Sequence, residues 1–360
     1  MTRIKRRLLT AFRLLALALT LMPVTVRAQE ADAADNTSAR IFFATNRDRV
    51  EIEDSQVVRF GGQRGSPSFG TCEIEFKPIP LLGDVAAKVP FYVPSETSEM
   101  RIEAQEDPEV FWDHLSTEVE STSTQEVVLY VHGYSYDFER GCERAAEVQR
   151  SLAGAATVVM FSWPSNGQAT DYVPDLGDLE WSVPDLVDLL EQLTSRMGPS
   201  NIHVLSHSLG LRGVALALAR LREENVDLPV IGRLVLLAPD FDSQSFVELL
   251  PRLAPTAESI TLYASSTDTP LKVSHRLNGS PRLGEAGEFL TVVEGMETID
   301  VSPAGRYEML GHEYFFFHPR VAADLMVLLS TGKNAAERPA LRPQSKNGLS
   351  YWEVVEEDER

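Results

Sequence analysis

From residue 40 onward the chain alternates short, β-branched apolar runs with longer stretches of helical period. The runs are RIFFATN (40–46), CEIEFKPI (72–79), EVVLYVHG (126–133), ATVVMFSW (156–163), IHVLSHS (202–208), GRLVLLAP (232–239), SITLYAS (259–265) and ETIDVS (297–302). Several are apolar almost without interruption, as strands covered on both faces must be. Between them lie helical patterns. One stacks Phe138, Cys142 and Ala145, a second Val183, Leu186, Leu190 and Leu193, and a third Val214, Leu218 and Leu221. Each set falls on one face of a 3.6-residue helix. Strand–helix alternation of this length predicts an α/β doubly wound sheet spanning residues 40–330. The stretch from about Thr331 is polar, carries Pro339 and Pro343 and ends acidic. It is expected to be a mobile tail, despite Trp352.

Composition supports a large buried core, since 43% of the 360 residues are apolar. Charge is unevenly placed. Residues 1–28 hold Arg3, Lys5, Arg6, Arg7, Arg13 and Arg27 and no acid, so without them the formal charge goes from −20 to −26. A surface that acidic repels phosphate backbones and excludes nucleic acid as an expected partner. The basic start, the apolar run LLALALTLMPVTV and the VRA before Gln29 read as an export signal over 1–28, followed by a flexible segment over 29–39. Periplasmic or secreted location follows, with an uncleaved anchor as the alternative. A spanning helix needs about 20 apolar residues, and this run is shorter and contains Pro23. Cys72 alternates with Ile74 and Phe76, and Cys142 lies four residues after Phe138, so both cysteines face the core. Buried free thiols are the default reading, and a disulfide stays open if the compartment is oxidising.

Candidate chemistry begins at Ser206-His207-Ser208-Leu209-Gly210, where the apolar strand gives way to a helical pattern. This is close to the Gly-x-Ser-x-Gly nucleophile elbow, with Ser206 in place of the first glycine. That position needs small size, which serine supplies. A helix N-terminus at Ser208 offers the N–H of Leu209 to an oxyanion. The alternative is an ordinary serine N-cap. A second oxyanion donor is expected at the N–H of Tyr134, after His132-Gly133 at the end of an earlier strand. An acid and then a histidine should follow in chain order. Asp268 and His312 stand beyond the ends of the last two strands, with Asp240 and Asp242 as alternative acids. His203 and His207 lack the glutamate of a zinc motif, and His207 is expected to line a pocket wall. Residues 161–182 are rich in Asp, Gly and Pro and are expected to cross near these strand ends, as a lid or as a surface loop.

The stretches VVLYVHGYSYDFERGCERAAEV, VVMFSWPSNG, HVLSHSLGLRGVALAL, VLLAPDFDSQSF and DVSPAGRYEMLGHEYFFFHPRVAADL, with IFFATNR and FGTCEIEF upstream, resemble bacterial α/β-hydrolases of the DUF900 family, within the esterase/lipase superfamily. The resemblance covers roughly residues 40–330. It implies an α/β-hydrolase fold, with a mostly parallel eight-stranded sheet and helices on both faces. It also implies a serine mechanism with Ser208 as nucleophile, Asp268 as acid and His312 as base, and names no substrate. A carboxylic ester is expected by analogy with the superfamily, with peptide or thioester as lesser options. The family's Ala-His-Ser-Met-Gly elbow appears here with Ser206 and Leu209, a mild departure. No metal or organic cofactor is implied. The expected partner is a small-molecule or lipid-like acyl substrate, with transient membrane-surface contact left open. A catalytically inactive binding or envelope-scaffold protein on the same fold is the rival.

Overall fold

The computed structural model describes residues 37–50, 58–80, 92, 94–105, 107–224 and 230–355. The export signal and most of the segment over 29–39 lie outside them. In chain order the elements are β1 (Ser38–Val50), β2 (Arg59–Pro78), β3 (Glu96–Gln105), α1 (Pro108–Ser121), β4 (Glu126–Val131), α2 (Phe138–Leu152), β5 (Ala156–Ser162), α3 (Tyr172–Trp181) and α4 (Val183–Met197). They continue with β6 (Ile202–His207), α5 (Gly210–Glu224), β7 (Ile231–Leu237), α6 (Ser243–Leu253), β8 (Ala257–Ala264) and α7 (Thr269–Asn278). The last are β9 (Glu297–Asp300), α8 (Tyr314–Phe317), α9 (Pro319–Thr331), β10 (Leu341–Lys346) and β11 (Leu349–Val354).

All the strands join one sheet of eleven, in the order β10-β11-β9-β8-β7-β6-β4-β5-β1-β2-β3. From β11 through to β1 the pairings are parallel, whereas β10 on one edge and β2–β3 on the other pair antiparallel. The sheet is thus larger than the eight strands expected, with antiparallel additions at both edges.

Helices cover both faces, which is why the central strands read as continuous apolar runs. Along β4, Val127, Leu129 and Val131 join the core under α1, α4, α5 and α6, while Val128 and Tyr130 join the core under α2 and α9. In that second core Cys72 of β2 meets Cys142 of α2, their Cα atoms 6.4 Å apart, in a disulfide. The free-thiol reading is corrected here. Both cysteines do face the core, but α2 packs over β2 and brings them to bonding distance.

The C-terminal stretch is corrected too. Residues 341–354 are not a mobile tail but a hairpin whose β11 pairs with β9, Trp352 opposite Ile299. Its turn is Asn347-Gly348, both at positive φ (54° and 83°). That dipeptide is a strong two-residue hairpin signal, overlooked amid the polar composition. Pro343, which has no N–H to give, sits on the edge strand β10, where a donor can be spared.

The order of strands positions the site. The chain runs from β4 to β5 on one side, then returns to lay β6 on the other side of β4. A crevice opens beyond the C-terminal ends of strands at such a reversal, and ligands of open α/β sheets bind there.

Candidate active site

Two loops leave the sheet at this reversal. β6 ends at His207, α5 begins at Gly210, and Ser208 between them holds φ +52°. A non-glycine residue in the left-handed region is strained and persists only where its surroundings hold it. Here the Ser208 N–H donates to the Leu237 carbonyl at 2.9 Å. Gly210 lets the new helix close on β4, because a Cβ there would stand 2.6 Å from the His132 carbonyl oxygen. Ser206 is buried and its hydroxyl has no hydrogen-bond partner. It behaves as a small spacer.

The loop after β4 comes against the same serine. A Cβ on Gly133 would lie 2.8 Å from the Ser208 Cβ, so glycine alone allows the approach. The next N–H is that of Tyr134. Neither it nor the N–H of Leu209 is hydrogen-bonded among the described residues, which leaves two amide donors on loops flanking Ser208.

Residues 163–175 brace the loop after β4. Tyr134 Oη donates to Ala169 O at 2.9 Å, Ser135 Oγ to Gly167 O at 3.1 Å, and the Ser135 N–H to Asp175 Oδ2 at 3.1 Å. Ser135 is itself at φ +60°. Asp175 is buried, also accepts from Ser165 Oγ at 2.6 Å, and has its carboxyl pushed up by burial. The 161–182 stretch therefore does cross near the strand ends, and part of it is α3. From behind, the buried guanidinium of Arg47 donates to Tyr136 O at 2.8 Å, to Ser162 Oγ at 2.8 Å and to Ser165 O. Burial lowers Arg47 to about 10. Beside it His132, stacked on Trp163 and driven down to about 3 by burial and by Arg47, is neutral.

The candidate acid and base come from the other side of the reversal. Asp268, fully buried, follows β8, and its Oδ2 lies 2.7 Å from His312 Nδ1. Its other oxygen caps α7, accepting the Leu271 N–H at 2.9 Å. Burial pushes the Asp268 carboxyl up, against the pull of His312 and the Leu271 N–H. Burial works against a charged His312, but the Asp268 carboxylate outweighs it and raises the imidazole above its usual value. The loop carrying His312 turns at Gly311, φ +67°, where a Cβ would strike the Thr267 carbonyl at 2.7 Å. The His312 ring lies 4.9 Å from that of His207, the residue before Ser208. His207 is buried, with both ring nitrogens unpaired, and burial holds it well below the ordinary histidine value. Ser208 and His312 are not hydrogen-bonded to each other among the described residues. Such contacts are often long without substrate and tighten in the complex.

Both alternative acids are engaged elsewhere. Asp240 ion-pairs with Arg282 at 2.9 Å and accepts from Ser274 Oγ at 2.6 Å and Tyr172 Oη at 3.0 Å. Asp242 caps α6 through the Ser245 N–H at 2.7 Å.

Comparison with known proteins agrees with this architecture. The family model described as "Alpha/beta hydrolase of unknown function (DUF900)" matches residues 108–329. The chain belongs to the DUF900 family. A curated relative, the uncharacterized protein alr1448 of Nostoc sp. (strain PCC 7120 / SAG 25.82 / UTEX 2576), is 32% identical over 68 residues. That match spans 19% of this chain and only 18% of the relative. Among solved structures, a predicted CIB-like hydrolase from Thermoplasma acidophilum is similar at 16% identity and TM-score 0.35, over 57% of this chain and 86% of its own. A cold-adapted esterase from an Arctic intertidal metagenomic library is similar at 13% identity and TM-score 0.38, over 81% of this chain and 94% of its own. At those scores neither bears on substrate.

One cluster in this DUF900 chain was not anticipated. Glu313, next to the candidate base, is buried and pairs with Arg140 at 3.0 Å and Arg144 at 3.2 Å, both from α2. It also accepts from Tyr136 Oη. Burial disfavours its charge, but Arg144 and Arg140 prevail and hold it at about 2. The trace in the sequence is faint: Arg140 and Arg144 stand at i, i+4 on one helix face, but Asp137, Glu143 and Glu147 lie at contact spacing and offer them local partners.

Proposed function

We propose that this protein is an exported serine hydrolase that cleaves carboxylic esters through an acyl-enzyme. The observation that carries the reading is the 2.7 Å bond of His312 to buried Asp268, in the same crevice as a strained Ser208. With Nδ1 bonded to Asp268, the imidazole keeps its proton there and leaves the Nε2 lone pair as base. Nε2 takes the Ser208 hydroxyl proton as Oγ bonds to the acyl carbon. The N–H groups of Tyr134 and Leu209 hold the oxyanion, and the alcohol leaves with the proton from His312. Water, deprotonated by the same nitrogen, then releases the acid and restores Ser208. The basic and apolar first 28 residues and the Cys72–Cys142 disulfide support an oxidising destination outside the cytoplasm.

Labelling with a fluorophosphonate tests this. The adduct is expected on Ser208 by peptide mass spectrometry. Ser208→Ala should lose it, with ester turnover falling by about 10⁶. Folded protein that stays unlabelled, with and without detergent, would instead indicate a non-catalytic binding protein on a hydrolase fold.

A further inference from the structure

The acid and the base of the candidate site stand at the edge of a surface that the reaction does not use. Asp268 caps α7, and the outward side of that helix carries Val273 and Leu277, 48% and 73% exposed and four residues apart. The loop leading to His312 carries Met309 and Leu310, 83% and 47% exposed. The two segments are tied together. The Thr269 N–H donates to Leu310 O at 2.9 Å, and Arg306 donates to Thr267 O at 2.9 Å and Thr269 Oγ1 at 3.2 Å. From Thr269 to Leu277 the helix rises about 12 Å. The exposed apolar side chains therefore form one ridge beside the catalytic crevice.

Exposed cations stand along this ridge. Lys272 and Arg276 lie on the same exposed helix side as Val273 and Leu277, and exposed Arg306 stands in the loop. The neighbouring acids are mostly engaged. Asp268 is bonded to His312, Glu285 pairs with His275 at 2.9 Å, and Glu308 turns back onto the amides of Leu310, His312 and Glu313. One exposed acid, Glu288, shares a cleft with Lys272 and Arg276. In a chain of formal charge −20, three exposed cations beside an apolar ridge at the site mouth single out one orientation toward an anionic surface. Apolar side chains flanked by long cationic stems suit a lipid interface, where stems lie along acyl chains and heads reach phosphates.

We propose that this ridge docks the protein on an anionic phospholipid surface, and that the ester substrate is a lipid drawn from it. The substrate half rests on the serine-hydrolase reading, while the docking half stands alone. No helix among the described residues is long and apolar enough to cross a membrane.

The test is sedimentation of the full chain with vesicles of phosphatidylcholine, with and without phosphatidylglycerol. Binding should be about tenfold stronger with the anionic lipid, and Leu277→Glu and Lys272→Glu/Arg276→Glu should each lose about tenfold. In the same variants, hydrolysis of a vesicle-borne long-chain ester should fall in parallel with binding, while turnover of a soluble short-chain ester stays at the parental level. If Leu277→Glu binds as the parent does, the binding arises elsewhere in the chain and the proposal is overturned. Loss with the charge reversals alone would mean a purely electrostatic contact and would overturn it too. Intact vesicle binding without Ser208 labelling would sink the hydrolase reading and leave the docking in place.

Discussion

His312 and Glu313 are consecutive in the chain yet belong to regions of opposite electrostatic character. His312 faces the crevice at the strand reversal and has one carboxylate partner, Asp268, itself burdened by burial. Glu313 faces α2 and is held by two guanidinium groups and a phenol. Burial penalises charge in both places, so the partners decide the outcome. One partner leaves a histidine that is raised but still able to give and take a proton. Three partners leave a carboxylate fixed as an anion, which ties the loop carrying His312 to α2. A candidate proton-transfer group and a fixed anion thus differ by what lies a few ångströms from adjacent residues.

The comparison can be broken from either side. The largest effect is expected from Asp268→Asn, which should lower kcat by about 10⁴ through loss of the correct tautomer, with little change in the unfolding midpoint. His312 must be neutral to act as base. Because Asp268 raises it, activity of the parent should fall as pH drops through a value above the ordinary 6.5. The variant should carry that limb to lower pH. A limb unmoved in Asp268→Asn, or an equal loss in Asp240→Asn, would remove Asp268 from its role.

Next comes Glu313→Gln, expected to cost about 2 kcal/mol in urea unfolding by leaving the largely buried Arg144 and the part-exposed Arg140 without their carboxylate, while kcat stays within severalfold. The sign of the pH dependence follows from the depressed value. The stability Glu313 contributes is fully present above its ordinary 4.5 and is lost as pH falls toward about 2. The stability curves of parent and variant should therefore converge over that acid range. A large fall in kcat with unchanged stability would make Glu313 part of the catalytic machinery instead.

The smallest effect belongs to Tyr136→Phe, which deletes one donor to the Glu313 carboxylate. It should cost under about 2 kcal/mol, again with kcat near parental. Thermal unfolding beside a soluble-ester assay distinguishes this from a direct role of the phenol in the crevice.

How much of this could be read beforehand varies from element to element. The elbow was legible because its demands are local: an apolar strand, a small residue at 206, a serine, and Gly210 where a Cβ would meet the β4 carbonyls. Strand order favours Asp268 over Asp240. What separates the two is a partner, Arg282 for one and His312 for the other, and partners belong to the folded chain. The hairpin over 341–354 carried a local signal at Asn347-Gly348 that its polar flanks masked. The sequence marks the Arg140–Arg144–Glu313 cluster only faintly, because Glu313 lies some 170 residues from the two arginines.

By itself the sequence determined the alternation of buried strands and amphipathic helices, the small residues at the turn around Ser208, and the order of serine, acid and histidine. These follow from side-chain size, branching and period, which act over a few residues. Tertiary structure alone decided that β6 would return beside β4, that Cys72 would meet Cys142, and which carboxylate would hold His312. It also left the ridge of Val273, Leu277 and Met309 uncovered. Such outcomes depend on which distant groups share a low-dielectric interior, where an unpaired charge or an unfilled contact costs more than any local preference can return.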